Sequence, residues 1–233
     1  MSVLALVLGI LPGFTWLFFY LQEDLHPEPR RLIAFTFVMG ALSALVAYLL
    51  QVALTVPWPE FRTLFTSREL SPLLFMLALL LFSFIEELVK FAAAYFSVRK
   101  NPAFDAPVDS MIYTIVAALG FATLENIGAL MGKGGGEAAL MGPLFETATF
   151  RFVGATLLHT LTSGLVGYYW ALSIRKFGSR FMLIKGVFLA TILHAFFNYL
   201  ILQYGTIIYA LLFVIILGFV SLNDLEKLKR ESV

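Results

Sequence analysis

Two adjacent carboxylates and a lysine lie inside one long apolar run of the sequence. Glu86, Glu87 and Lys90 stand between Pro72 and Phe96, where almost every other side chain is apolar. Such a run is long enough to cross a bilayer as a helix. Each ionised group within hydrocarbon costs about 2.5–3.5 kcal/mol on insertion scales, so three together approach roughly 10 kcal/mol before pairing. A charge cluster this costly requires partners elsewhere in the fold, and it indicates a site.

Other apolar runs also contain polar side chains, and these lie at a similar depth. At a rise of 1.5 Å per residue, one ionisable side chain from each of four runs lies about 18–24 Å from one boundary of a hydrocarbon core about 30 Å thick. These side chains are Glu87, Glu125, His159 and His194. Because four predicted helices present costly side chains at one level, we expect a single shared site.

These residue types are suited to hydrolysis. A buried carboxylate near a histidine can act as a general base on water. Lys90 would hold one of the two adjacent carboxylates ionised while the other accepts a proton. His194 and Asn198 are four residues apart, so they point the same way from a helix and could donate hydrogen bonds to an oxyanion.

The same side chains also include ligands for a metal ion. His159, His194 and one or two of Glu86, Glu87 and Glu125 could bind zinc, and three protein ligands plus a water make a catalytic zinc site. The sequence contains no HExxH motif, so this hypothesis depends on the convergence in depth. A base acting with a metal and a base acting without one both stay open at this point.

The composition is that of an integral membrane protein. Of the 233 residues, 60% are hydrophobic and 13% are charged, whereas soluble domains average about 45–50% and 25%. We expect an all-α polytopic bundle of about seven transmembrane spans, forming one domain over residues 1–233. The seven apolar runs are Val3–Leu21, Leu32–Val56, Pro72–Val98, Pro107–Met131, Thr149–Leu172, Phe181–Leu202 and Thr206–Leu222. The net charge of +1 and the lack of a basic patch with interleaved aromatics argue against a nucleic-acid partner.

Lysine and arginine residues predict the orientation. With seven spans, the positively charged loops fall on one side, and only Arg62, Arg68 and Lys133 fall on the other. The positive-inside rule then places the N-terminus outside and the C-terminus in the cytoplasm. The common depth of Glu87, Glu125, His159 and His194 would then lie in the outer half of the membrane.

Turn-forming and polar residues predict the connections. Gly132–Gly142 is typical of a flexible loop, residues 203–205 of a very short hairpin, and residues 58–62 of an interfacial segment with an aromatic anchor. We expect Arg151 to be an interfacial anchor that pairs with Glu146 or Glu125. His26 falls in a cytoplasmic loop and is not expected to belong to the site.

Three motifs carry a resemblance to a known family. Glu86-Glu87-x-x-Lys90, Phe121-x-x-x-Glu125 and His194-x-x-x-Asn198 follow one another along the chain. Together they resemble the PrsW family of intramembrane proteases, which is related to the CAAX prenyl endopeptidases and the bacteriocin-processing membrane proteases. The resemblance covers roughly residues 72–202 and implies a CAAX-protease-like helical core.

The resemblance also implies roles for residues. In the CAAX relatives the first glutamate of the pair and a histidine of the second motif activate water, and the last histidine and asparagine form the oxyanion hole. Here Glu125 stands in place of that histidine, as in the PrsW branch. A third carboxylate together with His159 and His194 suits a metal better than a metal-free centre.

The resulting prediction is an intramembrane endopeptidase of a bacterial-type plasma membrane. It would cut a membrane-anchored protein near the outer surface, and the resemblance to the PrsW family implies the first cleavage of an anti-sigma factor as an example. The predicted catalytic residues are Glu86, Glu87, Glu125, His159, His194 and Asn198, supported by Lys90 and Phe121. The predicted ligands for zinc or another divalent metal are Glu86, Glu125, His159 and His194.

Two functions from other classes compete with this prediction. Intramembrane glutamates and histidines also form proton relays in ion-coupled transporters, although the sequence shows neither inverted repeats nor a pair of broken helices. A non-catalytic scaffold that binds a membrane partner is the second alternative.

Overall fold

A computed structural model describes residues 3–22, 27–57, 71–131, 137–175 and 179–232. The described residues are helical apart from short connections, and no β-strand occurs among them. The helices are α1 (Val3–Gln22), α2 (Arg30–Leu54), α3 (Pro72–Val98), α4 (Asp109–Met131), α5 (Glu137–Phe150), α6 (Thr156–Arg175), α7 (Arg180–Tyr204) and α8 (Ile207–Ser232). A π-helical segment, Arg151–Ala155, joins α5 directly to α6. The prediction of an all-α polytopic bundle is confirmed.

Six of the described helices are long and apolar enough to cross a membrane, namely α1, α2, α3, α4, α7 and α8. The predicted run Thr149–Leu172 corresponds to the π-helical segment and α6. This helix is not one of the six, because it carries His159 and several hydroxyl side chains. It is instead an interior helix with 14 of its 20 residues buried, so its polar side chains face other helices rather than lipid.

Two predicted connections can be compared with the structure. The short hairpin is confirmed, because α7 ends at Tyr204, Gly205 adopts a φ of 62°, and α8 begins at Ile207. The predicted loop Gly132–Gly142 is wrong in its second half, since α5 begins at Glu137. The stretch Ala138–Met141 consists of strong helix formers, which explains the difference. The predicted interfacial segment at residues 58–62 and His26 lie outside the described residues.

Helix α4 packs closely against its neighbours through glycines. A Cβ on Gly40 of α2 would lie 2.0 Å from the carbonyl oxygen of Ala117, and a Cβ on Gly120 of α4 would lie 2.0 Å from that of Phe37. These two glycines therefore bring the α2 and α4 backbones into contact. On another face of α4, a Cβ on Gly13 of α1 would lie 2.0 Å from Thr123 Oγ1. Tight packing on both faces fixes the position of the polar residues that α4 carries.

Candidate active site

The buried polar side chains of α3, α4, α6 and α7 meet in one place. The imidazole rings of His159 and His194 lie with their centroids 4.9 Å apart. Glu86, His159 and His194 each offer one ligand atom, and these atoms lie within 4.8 Å of one another. The structure thus brings together the residues that the sequence places at one depth. We refer to Glu86, Glu87, Lys90, Glu125, His159 and His194 as the polar cluster.

Glu87 is the most heavily bonded member of the polar cluster. Its side chain is buried, and its Oε1 accepts hydrogen bonds from Lys90 Nζ at 2.7 Å and from Thr162 Oγ1 at 3.0 Å. The same oxygen lies 2.7 Å from His194 Nδ1. Because a carboxylate only accepts hydrogen bonds, this contact places the His194 proton on Nδ1. Glu87 therefore sets the tautomer and the orientation of His194.

His159 is held from both sides of its ring. Lys90 Nζ lies 3.1 Å from Nδ1, and Glu125 Oε2 lies 2.8 Å from Nε2. An ammonium group can only donate, so Nδ1 accepts and Nε2 donates its proton to Glu125. The ring of Phe121 lies 5.2 Å from the His159 ring and 5.4 Å from Lys90 Nζ, measured to its centroid. This apolar wall confines both groups.

Glu86 presents an open oxygen to the cluster. Its Oε1 accepts a hydrogen bond from Gln51 Nε2 of α2 at 2.8 Å. Its Oε2 is buried without a hydrogen-bond partner among the described residues and lies 3.5 Å from His194 Nε2. With the His194 proton on Nδ1, Nε2 carries a free lone pair. The lone pair of His194 Nε2 and a lone pair of Glu86 Oε2 therefore face each other across 3.5 Å.

The π-helical segment contributes Arg151, which completes the site. Arg151 Nη2 lies 2.7 Å from Glu125 Oε2, and Arg151 Nε donates to the side-chain oxygen of Asn126. Asn126 in turn donates to Thr156 Oγ1 at 2.9 Å. The pairing of Arg151 with Glu125 is one of the two that the sequence predicted. With its side chain 19% exposed and paired with Glu125, Arg151 belongs to the site.

The geometry and charge of these residues fit a bound divalent cation. Three carboxylates, of Glu86, Glu87 and Glu125, are accompanied by two cationic side chains, so one formal negative charge is in excess when both imidazoles are neutral. The 3.5 Å between His194 Nε2 and Glu86 Oε2 is close to the roughly 3.4 Å that separates two ligands on tetrahedral zinc. The unpartnered Glu86 oxygen also needs a counterpart. Glu125, the fourth predicted ligand, stands beside this group of three and not within it.

The remaining predicted residue, Asn198, lies one helical turn beyond His194. It lines a cavity of about 380 Å³ together with Glu86, Glu125, His159 and His194. The structure therefore brings every predicted site residue to the cluster or to its border. The roles of these residues in catalysis are considered below as a proposal.

Residues of the site that the sequence did not single out come from three helices. Gln51 is the only amide of α2, and Asn126 directly follows Glu125, so an isolated amide within an apolar run was the available signal. Thr162 is one turn beyond His159. For Arg151 the sequence left Glu146 and Glu125 open as partners, because a π-helical segment changes the direction of the side chain in a way that regular periodicity does not show.

Comparison with known proteins gives the family of the chain. A family model described as "PrsW family intramembrane metalloprotease" matches residues 28–221. The chain belongs to this family. It is 28% identical over 228 residues to Protease PrsW of Geobacillus kaustophilus, covering 95% of this chain and 90% of the relative. It is 26% identical over 225 residues to Protease PrsW of Bacillus subtilis, covering 94% and 93%. No solved structure matches the chain.

Membership of the PrsW family establishes the class of enzyme. The chain is a protease integral to a bacterial membrane, as the three motifs predicted. The family is described as metalloproteases, and the Glu86, His159 and His194 ligand atoms are a donor set of the kind that binds zinc. The motif positions also lie within the matched residues.

Proposed function

We propose that the chain hydrolyses a peptide bond of a membrane-anchored protein at the polar cluster, with zinc or another divalent cation held by Glu86, His159 and His194. The observation that supports this is the approach of their three ligand atoms to within 4.8 Å. Two histidines and a glutamate are the ligand set of several zinc peptidases. The family description supports the same chemistry.

A bound divalent cation would polarise the substrate carbonyl and make its bound water more acidic. Glu125 is placed to move the protons. Its side chain is 37% exposed and lies 2.7 Å from Arg151 Nη2, so it is placed to take a proton from the attacking water and return it to the leaving amine. His159 Nε2 donates its proton to Glu125 in the described structure, so Nε2 would hold the cation only after this proton has left the site, which leaves Glu125 ionised to accept the proton of the water.

Other members of the site would orient these groups. Glu87 holds His194 through Nδ1, leaving Nε2 free as a ligand, which is the usual arrangement of a carboxylate behind a metal-bound histidine. The amide of Asn198, on the wall of the cavity, would donate to the carbonyl oxygen as negative charge develops there. Phe121 and Lys90 would keep the His159 ring in place.

The finer features of the proposal are the substrate and its side of the membrane. We propose a substrate of the anti-sigma-factor type, cut near the outer surface, with the N-terminus of the protease outside and its C-terminus in the cytoplasm. The family resemblance supports the substrate class, and the distribution of lysine and arginine supports the orientation. We also propose that residues 1–233 act as a single protease domain.

Cleavage of a single-span reporter by the purified protein tests the proposal. We expect the wild type to cut, Glu86→Gln to lose about 10²-fold or more of the rate, and a strong chelator to stop wild-type cleavage until zinc is restored. Glu146→Gln is the matched control, because Glu146 is an exposed glutamate of α5 that is not among the possible metal ligands. It should cut at the wild-type rate.

Each alternative outcome has a defined meaning. Cleavage that survives chelation but not Glu86→Gln would assign the proton acceptor to Glu86 without a metal. Equal rates in Glu86→Gln and the wild type would remove the polar cluster from the mechanism. Reporter binding without turnover would favour a scaffold.

A further inference from the structure

Two cavities border the polar cluster. One of about 500 Å³ lies between α2 and α4, and the other, of about 380 Å³, lies among the π-helical segment, α6, α7 and the α7–α8 turn. Glu86, Glu125 and Arg151 line both of them. Each volume falls within the roughly 300–1,000 Å³ typical of ligand sites. The three shared side chains mark the place where the cavities meet.

The cavity between α2 and α4 results from small residues at the ends of the two helices. Gly40 and Gly120 hold the helices in contact, but further along α4 a Cβ on Gly128 would have no atom within 4 Å. Leu45 and Tyr48 of α2 line the same cavity and are 50% and 63% exposed. Exposed apolar side chains on a membrane helix face lipid. The cavity therefore opens sideways, toward the bilayer.

The second cavity leads in another direction. It extends from His194 and Asn198 to Gly205 and Thr206, which are exposed in the α7–α8 turn. Its border therefore lies at the end of the helix bundle, where the chain turns between two predicted spans. One cavity reaches the lipid-facing perimeter and the other reaches this end, with the polar cluster between them.

We propose that the two cavities are one continuous groove for an extended segment of the membrane protein substrate. The segment enters between α2 and α4, crosses the polar cluster at Arg151, and continues toward the α7–α8 turn. An apolar side chain of the substrate occupies the space beside Gly128. This inference rests on the proposed protease function and adds the binding path and the specificity of the site.

The dimensions of the groove require the substrate to be extended. A helix with its side chains is about 10–12 Å wide, which exceeds what a cavity of about 500 Å³ accepts along more than one turn. An extended chain exposes its backbone carbonyls. Arg151 has five N–H donors, of which described contacts to Glu125 and Asn126 use two. The remaining donors bind substrate carbonyls where the segment crosses.

Substrate preference tests whether a side chain of the substrate occupies the space beside Gly128. Gly128→Phe fills the α2–α4 cavity, whereas Gly218→Phe is the control, since Gly218 is also helical, an added Cβ there meets only Leu161 Cδ1 at 3.9 Å, and it lines neither cavity. The probes are single-span reporters that carry either leucine or alanine at each position around the cleavage site. We expect Gly128→Phe to lower kcat/KM for the best leucine reporter about tenfold or more, to spare its alanine counterpart, and Gly218→Phe to match the wild type.

Cysteine cross-linking tests the path without requiring turnover. The chain contains no cysteine, so Tyr48→Cys in one cavity and Thr206→Cys in the other can each form a disulfide with a cysteine scanned through the reporter. We expect the two positions to capture reporter residues on opposite sides of the cleavage site. Phe188→Cys is the control, because Phe188 is 62% exposed on α7 and lines neither cavity.

The outcomes separate this inference from the proposed function. If the wild type cuts and Glu86→Gln does not, but Gly128→Phe keeps the wild-type preference, the groove is wrong and the protease proposal stands. Capture of the same reporter residue from both cavities, or capture by Phe188→Cys to an equal extent, also overturns the groove. Should Gly128→Phe not fold, the cross-linking result decides.

Discussion

At the scale of single residues, ion pairing offsets the free-energy cost of burying charged side chains in the site. Glu87 and Lys90 are each 1% exposed and form an ion pair at 2.7 Å. Removing one partner of such a pair costs about 3–5 kcal/mol, because the other charge stays buried. Each of the two glutamates keeps one buried carboxylate oxygen without a hydrogen bond among the described residues. They differ at Oε1, because that of Glu87 contacts Lys90, Thr162 and His194, whereas that of Glu86 accepts a hydrogen bond from Gln51.

This difference predicts different effects of the two conservative substitutions on metal binding. Glu86→Gln removes a proposed ligand, whereas Glu87→Gln keeps an acceptor for His194 Nδ1 but removes the charge that pairs with the buried Lys90. Mutation of an outer partner of this kind typically lowers metal affinity by about 10–100-fold. We therefore expect Glu87→Gln to bind zinc about 10–100-fold more weakly than the wild type, and Glu86→Gln to bind more weakly still.

Competition with a chromophoric chelator measures both affinities on purified protein in detergent. Glu146→Gln again serves as the control and should keep the wild-type value. An unchanged zinc affinity in Glu87→Gln would contradict the orienting role of this carboxylate, and equal affinity in all three variants would place the metal elsewhere.

Residue types and spacing predicted most of the cluster because an ionisable side chain in an apolar run has few alternatives to a shared site. Glu87, Glu125, His159 and His194, the residues of the depth count, lie together in the structure. The sequence did not predict which of Glu86 and Glu87 pairs with Lys90, since this depends on which carboxylate Lys90 reaches from the next helical turn. The hydrogen bond from Gln51 also required the actual packing of α2 on α3.

At the scale of elements, the π-helical segment is the least predictable part of the fold. It is stabilised by contacts from other helices: Trp16 Nε1 of α1 donates to the carbonyl oxygen of Phe152 at 3.2 Å, and Asn126 of α4 bonds to Arg151. Such segments are rare and occur frequently at functional sites. Hydrophobic periodicity predicted the long helices, but it carries no information about one additional residue in a turn.

The close contact between α2 and α4 gives a prediction about stability. Gly40→Ala places a methyl group 2.0 Å from the Ala117 carbonyl oxygen, so the helices must separate. Overpacking of this kind costs about 1–3 kcal/mol. We expect a lower midpoint of thermal unfolding in detergent for Gly40→Ala.

Gly128→Ala is the matched control on the facing helix, because an added Cβ there meets no atom within 4 Å. Alanine favours a helix over glycine by up to about 1 kcal/mol, so its midpoint should stay level or rise. Equal midpoints for Gly40→Ala and Gly128→Ala would show that the α2–α4 contact does not limit stability.

At the scale of the whole molecule, the proposed orientation decides which side of the membrane receives the cleaved segment. Arg99 and Lys100 flank the α3–α4 connection, whereas the α7–α8 turn at Gly205 and Thr206 carries no lysine or arginine. With α6 as the seventh span that the sequence predicts, three crossings separate these two connections, so they would lie on opposite sides. The positive-inside rule would then place the α3–α4 connection in the cytoplasm and the α7–α8 turn, with its cavity, outside.

Thiol labelling in intact cells tests this orientation directly, because a chain without cysteine gives no background of its own. Pro102 and Thr206 are both exposed, so Pro102→Cys and Thr206→Cys offer one thiol on each side. We expect a membrane-impermeant maleimide to label Thr206→Cys in intact cells, and Pro102→Cys only after permeabilisation. The reverse labelling pattern would show that the membrane orientation is opposite to the one proposed. The groove would then end on the cytoplasmic side, and the substrate would have to present its cleavage site there.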